Sequence, residues 1–178
     1  GGAATVREQS INALAEDHGI DASDPNQISP EALDQLVKYV EFLSVPARSY
    51  AAHDDGVVQT GNVKFIEAGC AGCHTVTQKT RNDAPEEFRN IVLRPYTDMK
   101  MHTVTDAPYR TPALWGLGRN ITLLQENGKQ LLLMHDGRAT TLDGAIQAHG
   151  GEASGSRAAY NAMSSSDKAA LIAFLESL

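Results

Sequence analysis

Cys70-Ala71-Gly72-Cys73-His74 constrains this chain more than any other stretch of its 178 residues, because Cys-x-x-Cys-His is the attachment signal for a c-type haem. Two thiols separated by two residues reach adjacent edges of one porphyrin, and a histidine directly after the second lies under the ring, placed to ligate the iron. Two other chemistries use the same cysteine spacing. A zinc site needs a second pair of Cys or His ligands, and Cys70 and Cys73 are the only cysteines present. A thioredoxin-type dithiol needs a strand-to-helix setting in an α/β pattern, which the flanking sequence lacks. The motif therefore predicts one covalent haem c, tethered by Cys70 and Cys73 and ligated by His74. With both cysteines so committed, no disulfide is expected.

The chain is longer than a minimal monohaem domain needs, which leaves room for one buried domain with an appended helical arm. Hydrophobic residues at 42% and charged residues at 21% are ordinary for a globular protein, and no apolar run approaches membrane-spanning length. A formal charge of −7 argues against a nucleic-acid partner. The first residues, Gly1-Gly2-Ala3-Ala4, lack the basic and apolar regions of a secretory leader. Bacterial c-haem attachment takes place outside the cytoplasm, so an exported, periplasmic or extracellular protein is expected.

Along the chain, helical signals dominate. Residues 5–18 carry Val6, Ile11, Leu14 and Ala15 on one side and end at Gly19. Ser29-Pro30-Glu31 supplies an N-cap, a proline at the first helical position and an early acid. The helix it opens bears Leu33, Leu36, Val37, Val40 and Leu43 at helical spacing and stops before Pro46. After Gly61, a short helix with Val63, Phe65 and Ile66 runs to Gly69, which allows a sharp turn into the motif. Residues 75–98 lack a period and are expected as loop and short pieces. The Pro- and Gly-punctuated segment Tyr109–Gly118 suits a haem-lining loop, with Arg110 facing a propionate and Trp115 against the ring or in plain core. Glu126-Asn127-Gly128-Lys129, between Ile121–Leu124 and Leu131–Leu133, suggests a short β-hairpin. Ser164 caps a last helix whose Ala170, Leu171, Phe174, Leu175 and Leu178 face inward. The expected architecture is thus all-α, a cytochrome c fold over residues 51–178 with a helical extension over residues 1–50.

A c-type iron usually takes a second axial ligand, most often Met or His. Met99, Met101, His102, Met134, His135, His149 and Met163 are candidates. His149 shares the apolar face of a helix with Leu142, Ala145 and Ile146, ahead of a glycine pair, and helical logic favours it. His102 is next, with Met101 or Met134 as the higher-potential alternatives. His135, in the polar turn Met134-His135-Asp136-Gly137-Arg138, suits a hydrogen bond to a propionate. His18 and His53 sit in polar surroundings away from the iron.

From about Ser29 onward, most densely over RPYTDMKMHT, YRTPALWGLG, MHDGRATTLDGAIQAHGGEA and SSDKAALIAFLESL, the chain resembles the carboxy-terminal haem domain of bacterial di-haem cytochrome c peroxidases, nearest to the di-haem thiol oxidoreductase branch. The resemblance implies an electron-transfer haem whose distal ligand follows the His-Asp-Gly block, a position that falls on His149. It therefore implies bis-histidine ligation by His74 and His149. Relatives carry another Cys-x-x-Cys-His in an amino-terminal domain, where peroxide is reduced, and residues 5–45 are similar to the helical tail of that domain. This chain has one such motif, so only haem binding and electron transfer carry over. The implied partner is a redox protein, or the amino-terminal haem domain or another catalytic domain of a longer protein. The competing expectation is a peroxidase or thiol oxidoreductase with a displaceable ligand.

Overall fold

The computed structural model describes residues 2–45, 47–48 and 54–178, so His53 lies outside the described residues. Two compact units divide the chain, Gly1–Val45 and Pro46–Leu178. Among the described residues there are seven α-helices and two two-stranded sheets, a mainly helical fold. No described helix is long and apolar enough to cross a membrane.

In the first unit, α1 (Val6–His18) packs on α2 (Pro30–Glu41). Thr5 caps α1 by accepting from the Glu8 N–H, and Gly19 closes it in the left-handed conformation at φ 66°. Ser29 caps α2 through the Ala32 N–H, and Arg7 pairs with Asp34 at 2.5 Å between the helices. Leu33 and Val37 are buried, whereas Val40 and Leu43 at the end of the same stripe are exposed.

The second unit is built on the crossing of α3 (Asp55–Glu67) with α7 (Ser165–Glu176). The helix α3 begins earlier than Gly61 because the Asp54 carboxylate caps it, accepting from the Gly56 and Val57 N–H groups. Gly61 is interior to α3 instead of preceding it: a Cβ there would lie 1.9 Å from the Ala170 carbonyl oxygen on α7. The missing side chain is what lets the two backbones approach. Phe65, Tyr96 and Phe174 meet around this crossing, with ring centroids 5.3–6.2 Å apart, a tilted and edge-on cluster of the kind that adds about 1 kcal/mol per pair beyond burial. Of the apolar residues read along α3, Phe65 is buried while Val63 and Ile66 are exposed.

The hairpin expected at 121–133 does not form. Residues 117–126 are a helix, α4 (Leu117–Glu126), and the turn at Asn127 and Gly128 ends it. Leu117 and Ile121, four residues apart, pack into the core, so the 3.6-residue period overrides the short Ile-Thr-Leu-Leu alternation. Gly118 lets α4 meet the end of α7, and its N–H donates to the Leu178 carbonyl at 2.9 Å. The strands lie elsewhere: β1 (Gln78–Lys79) pairs with β2 (Val92–Leu93), and β3 (Met101–Thr103) with β4 (Pro108–Arg110), both antiparallel. Leu133 and Ala139 form an isolated bridge that closes the 134–138 loop. Thr141 caps α5 (Leu142–Gln147), which packs on α6 (Ser154–Asn161) and α7. The buried Tyr160 of α6 donates to Asp143 of α5 at 2.7 Å.

Candidate functional site

Three local devices present the Cys70–His74 stretch. The helix α3 ends at Glu67 with Ala68 as its C-cap, Gly69 turns the chain at φ 79°, and Cys70–Gly72 forms one turn of 3-10 helix. The His74 N–H then donates to the Cys70 carbonyl at 2.9 Å. A residue with a Cβ is disfavoured at that left-handed glycine, so the sequence Ala-Gly-Cys is the local reason the motif leaves the helix axis sharply.

Both cysteines are free thiols and partly buried. Burial pushes the Cys70 thiol up to about 11. Cys73 is raised as well, by burial first and then by the carboxylates of Asp98 and Glu152. Redox-active dithiols work the opposite way, with a depressed thiol pKa. Among the described residues no group of three or more His, Cys, Asp or Glu is arranged to hold a metal ion.

The imidazole of His74 is oriented by the backbone. Its Nδ1 donates to the Tyr96 carbonyl at 3.0 Å. Tyr96 is buried and has φ 55°, an unusual conformation for a bulky residue, and this is what points its carbonyl at the ring. Burial holds the His74 pKa below the ordinary imidazole value, against the raising effect of the Tyr96 carbonyl. Because the Tyr96 carbonyl can only accept, Nδ1 carries a proton, and Nε2 has the lone pair whenever the ring is neutral.

His149 stands opposite. The helix α5 ends at Gln147, so His149 lies just beyond it instead of within it. Its N–H still donates to the Ile146 carbonyl at 3.1 Å, and its Nδ1 donates to the Ala145 carbonyl, four residues back, at 2.7 Å. The helical register therefore extends to this side chain after the helix proper stops. The rings of His74 and His149 have centroids 6.5 Å apart and are tilted by 50°. Two imidazoles bound through Nε2 to one metal ion, at about 2.0 Å each, put their centroids roughly 6.3 Å apart. Metal-ligating histidines commonly donate their other N–H to a backbone carbonyl, and both rings do so here. The donor set fits a haem iron between the two.

The remaining sequence candidates have other partners or surroundings. His102 is engaged through both ring nitrogens, Nε2 with Asp98 at 2.8 Å and Nδ1 with Glu152 at 3.0 Å, leaving no nitrogen for a metal. Met99 and Met101 are exposed, and Met163 packs against the core. Met134 has φ 65° at the start of the closed 134–138 loop. His135 is exposed and stacks on Tyr109 at 4.1 Å and 15°. Arg110 is exposed at the end of β4 opposite Met101, and Trp115 is partly buried in the turn before α4. His18 is the exposed last residue of α1. The carbonyls of Tyr96 and Ala145 escape a search for side-chain ligands; the only sequence sign of the first is the Pro95-Tyr96-Thr97-Asp98 block.

A family model described as "Di-haem oxidoreductase, putative peroxidase" matches residues 4–178. No curated protein and no solved structure matches the chain.

Proposed function

Since the chain belongs to the di-haem oxidoreductase family, we propose that it carries one covalently attached haem c in its second unit and uses it for electron transfer, with His74 and His149 as axial ligands. The observation that carries this reading is the neighbouring pair of imidazoles, with ring centroids 6.5 Å apart beside Cys-x-x-Cys-His, each with Nδ1 on a backbone carbonyl. Bound there, haem supplies a one-electron ferric/ferrous couple. Cys70 and Cys73 would tether it, each thiol adding across a vinyl group of the porphyrin. The Tyr96 and Ala145 carbonyls take the Nδ1 protons, which leaves Nε2 of each neutral ring as the nitrogen that would bind iron. Two nitrogen ligands favour ferric iron more than a thioether would, which places the potential below that of a His/Met site. These residues hold two cysteines, enough for one tether, so the second haem in the family's description belongs to a partner domain or protein. Covalent haem attachment, which takes place outside the bacterial cytoplasm, supports a periplasmic or extracellular protein with a redox protein as its partner.

The family description also names a peroxidase, and that reading requires a ligand that leaves. Ferric optical and electron paramagnetic resonance spectra of the haem-loaded protein, before and after His149→Ala, decide between them. A low-spin six-coordinate spectrum, unresponsive to peroxide and turned high-spin by the substitution, is expected. A wild-type high-spin signal that reacts with peroxide would establish the enzyme reading, and an unchanged low-spin spectrum in the variant would remove His149 as ligand.

A further inference from the structure

The segment that follows His149 is fastened to the segment that orients His74. Glu152, three residues after His149, accepts the Thr103 N–H on Oε1 at 2.7 Å and meets His102 Nδ1 with Oε2 at 3.0 Å. The other ring nitrogen, Nε2, meets Asp98 Oδ2 at 2.8 Å. Asp98 in turn lies two residues after Tyr96, and its N–H donates to the Cys73 carbonyl at 2.8 Å. Between Glu152 and His149 the backbone adds a contact of its own, the Gly150 N–H donating to the Val104 carbonyl at 2.9 Å.

We propose that His102 is a positioning residue for the distal ligand, a bridge through which Glu152 and Asp98 hold the His149 segment at a fixed distance from the His74 segment. With a carboxylate on each ring nitrogen, the imidazole satisfies both only when it donates from both, as a cation between two anions. Charge-assisted hydrogen bonds of this kind are shorter and stronger than neutral ones. The rings of His74 and His149 belong to different elements, and their own hydrogen bonds, to Tyr96 and Ala145, do not connect those elements. The bridge does. It limits how far His149 withdraws, and so the rate at which its place opens to an outside ligand. This inference rests on the assignment of His149 as the distal ligand.

The test uses the full haem-loaded chain, reduced, with carbon monoxide as the probe, because its binding waits on departure of the distal ligand. His102→Leu and Glu152→Ala each break the bridge and are each expected to speed binding about tenfold, the scale of one charge-assisted hydrogen bond. Glu152→Gln keeps an acceptor for the Thr103 N–H and is expected to recover part of the slow rate. This graded rescue separates positioning from general loosening. Glu152 is an exposed side chain, 55% accessible, so the Gln variant remains informative should His102→Leu fail to fold. Arg119→Ala, on α4, leaves the rate unchanged. If His149→Ala binds carbon monoxide rapidly while the His102 and Glu152 variants stay within about twofold of wild type, the bridge is overturned and the ligand assignment stands. If His149→Ala binds as slowly as wild type, the ligand assignment fails and takes the bridge with it.

Discussion

Gly151→Ala tests whether the backbone between His149 and β3 sets distal ligation. Gly151 has φ 48°, and a Cβ there would lie 2.2 Å from the Thr103 carbonyl oxygen and 3.1 Å from its carbon. The left-handed conformation costs an L residue roughly 1 kcal/mol, and overpacking against backbone costs about 1–3 kcal/mol more. The strain of about 2–4 kcal/mol is relieved most directly by moving residues 149–152 off β3, since the Thr103 carbonyl belongs to a paired strand. That motion breaks the Gly150 to Val104 and Thr103 to Glu152 hydrogen bonds and draws His149 away from His74. At about 1.4 kcal/mol per factor of ten, the lower figure alone corresponds to a roughly 30-fold faster opening of the distal position. Stopped-flow binding of carbon monoxide to the ferrous protein measures it, with a ferric spectrum to register any high-spin fraction. Gly155→Ala is the control: apart from its chain neighbours and the backbone of its own helix, nothing lies within 4 Å of its Cβ position, and it lies inside α6, where alanine gains about 0.5–1 kcal/mol. A Gly151→Ala protein whose binding rate and melting temperature both match wild type would refute the reasoning.

Other consequences follow from the same packing. Gly61→Ala forces a methyl within 1.9 Å of a carbonyl oxygen of α7; the overpacking, less the helix-propensity gain, leaves about 2 kcal/mol of destabilisation and a melting temperature lower by roughly 8 °C, read by circular dichroism. Tyr160→Phe removes the hydrogen bond to Asp143, whose carboxylate is exposed and can turn to water, so the loss in urea unfolding is only about 1 kcal/mol. The pH dependence of the His102 bridge has a definite sign. Its pKa is raised by hydrogen bonds to Glu152 and then Asp98, while those two carboxylates are held below their usual range, Glu152 by His102 first and Asp98 by His102 against the effect of burial. A raised imidazole pKa gives stability that is complete below the unfolded value of about 6.5 and is lost as pH rises through the folded value. Carbon monoxide binding should therefore be slow and flat on the acid side of about 6.5 and accelerate with alkaline pH above it, a trend absent in His102→Leu.

Much of the fold was legible because local chemistry fixes it. Ser29 and Ser164 cap helices where short hydroxyl side chains precede a periodic apolar run, and Gly19 and Gly69 terminate helices in the left-handed region. Ala170, Leu171, Phe174, Leu175 and Leu178 are all buried, as a 3.6-residue stripe requires. The expected hairpin failed because four residues of alternation are too few to outweigh a core-facing helical repeat at Leu117 and Ile121. Gly61 resembled punctuation ahead of a helix, because no local signal distinguishes a turn glycine from one that admits a neighbouring backbone.

By itself the sequence determined the proposed tether and its adjacent ligand, since Cys70, Cys73 and His74 lie within five residues at the spacing that haem attachment requires. It also placed His149 on the helical register that brings its Nδ1 to Ala145. Only the tertiary structure decided that this imidazole stands 6.5 Å from His74, and that His102 spends both nitrogens on Asp98 and Glu152. Those relations join residues far apart in the chain, and they depend on close backbone approaches that glycine allows and on a Tyr96 carbonyl turned by a positive φ. Long-range packing sets such distances, and no local pattern encodes them.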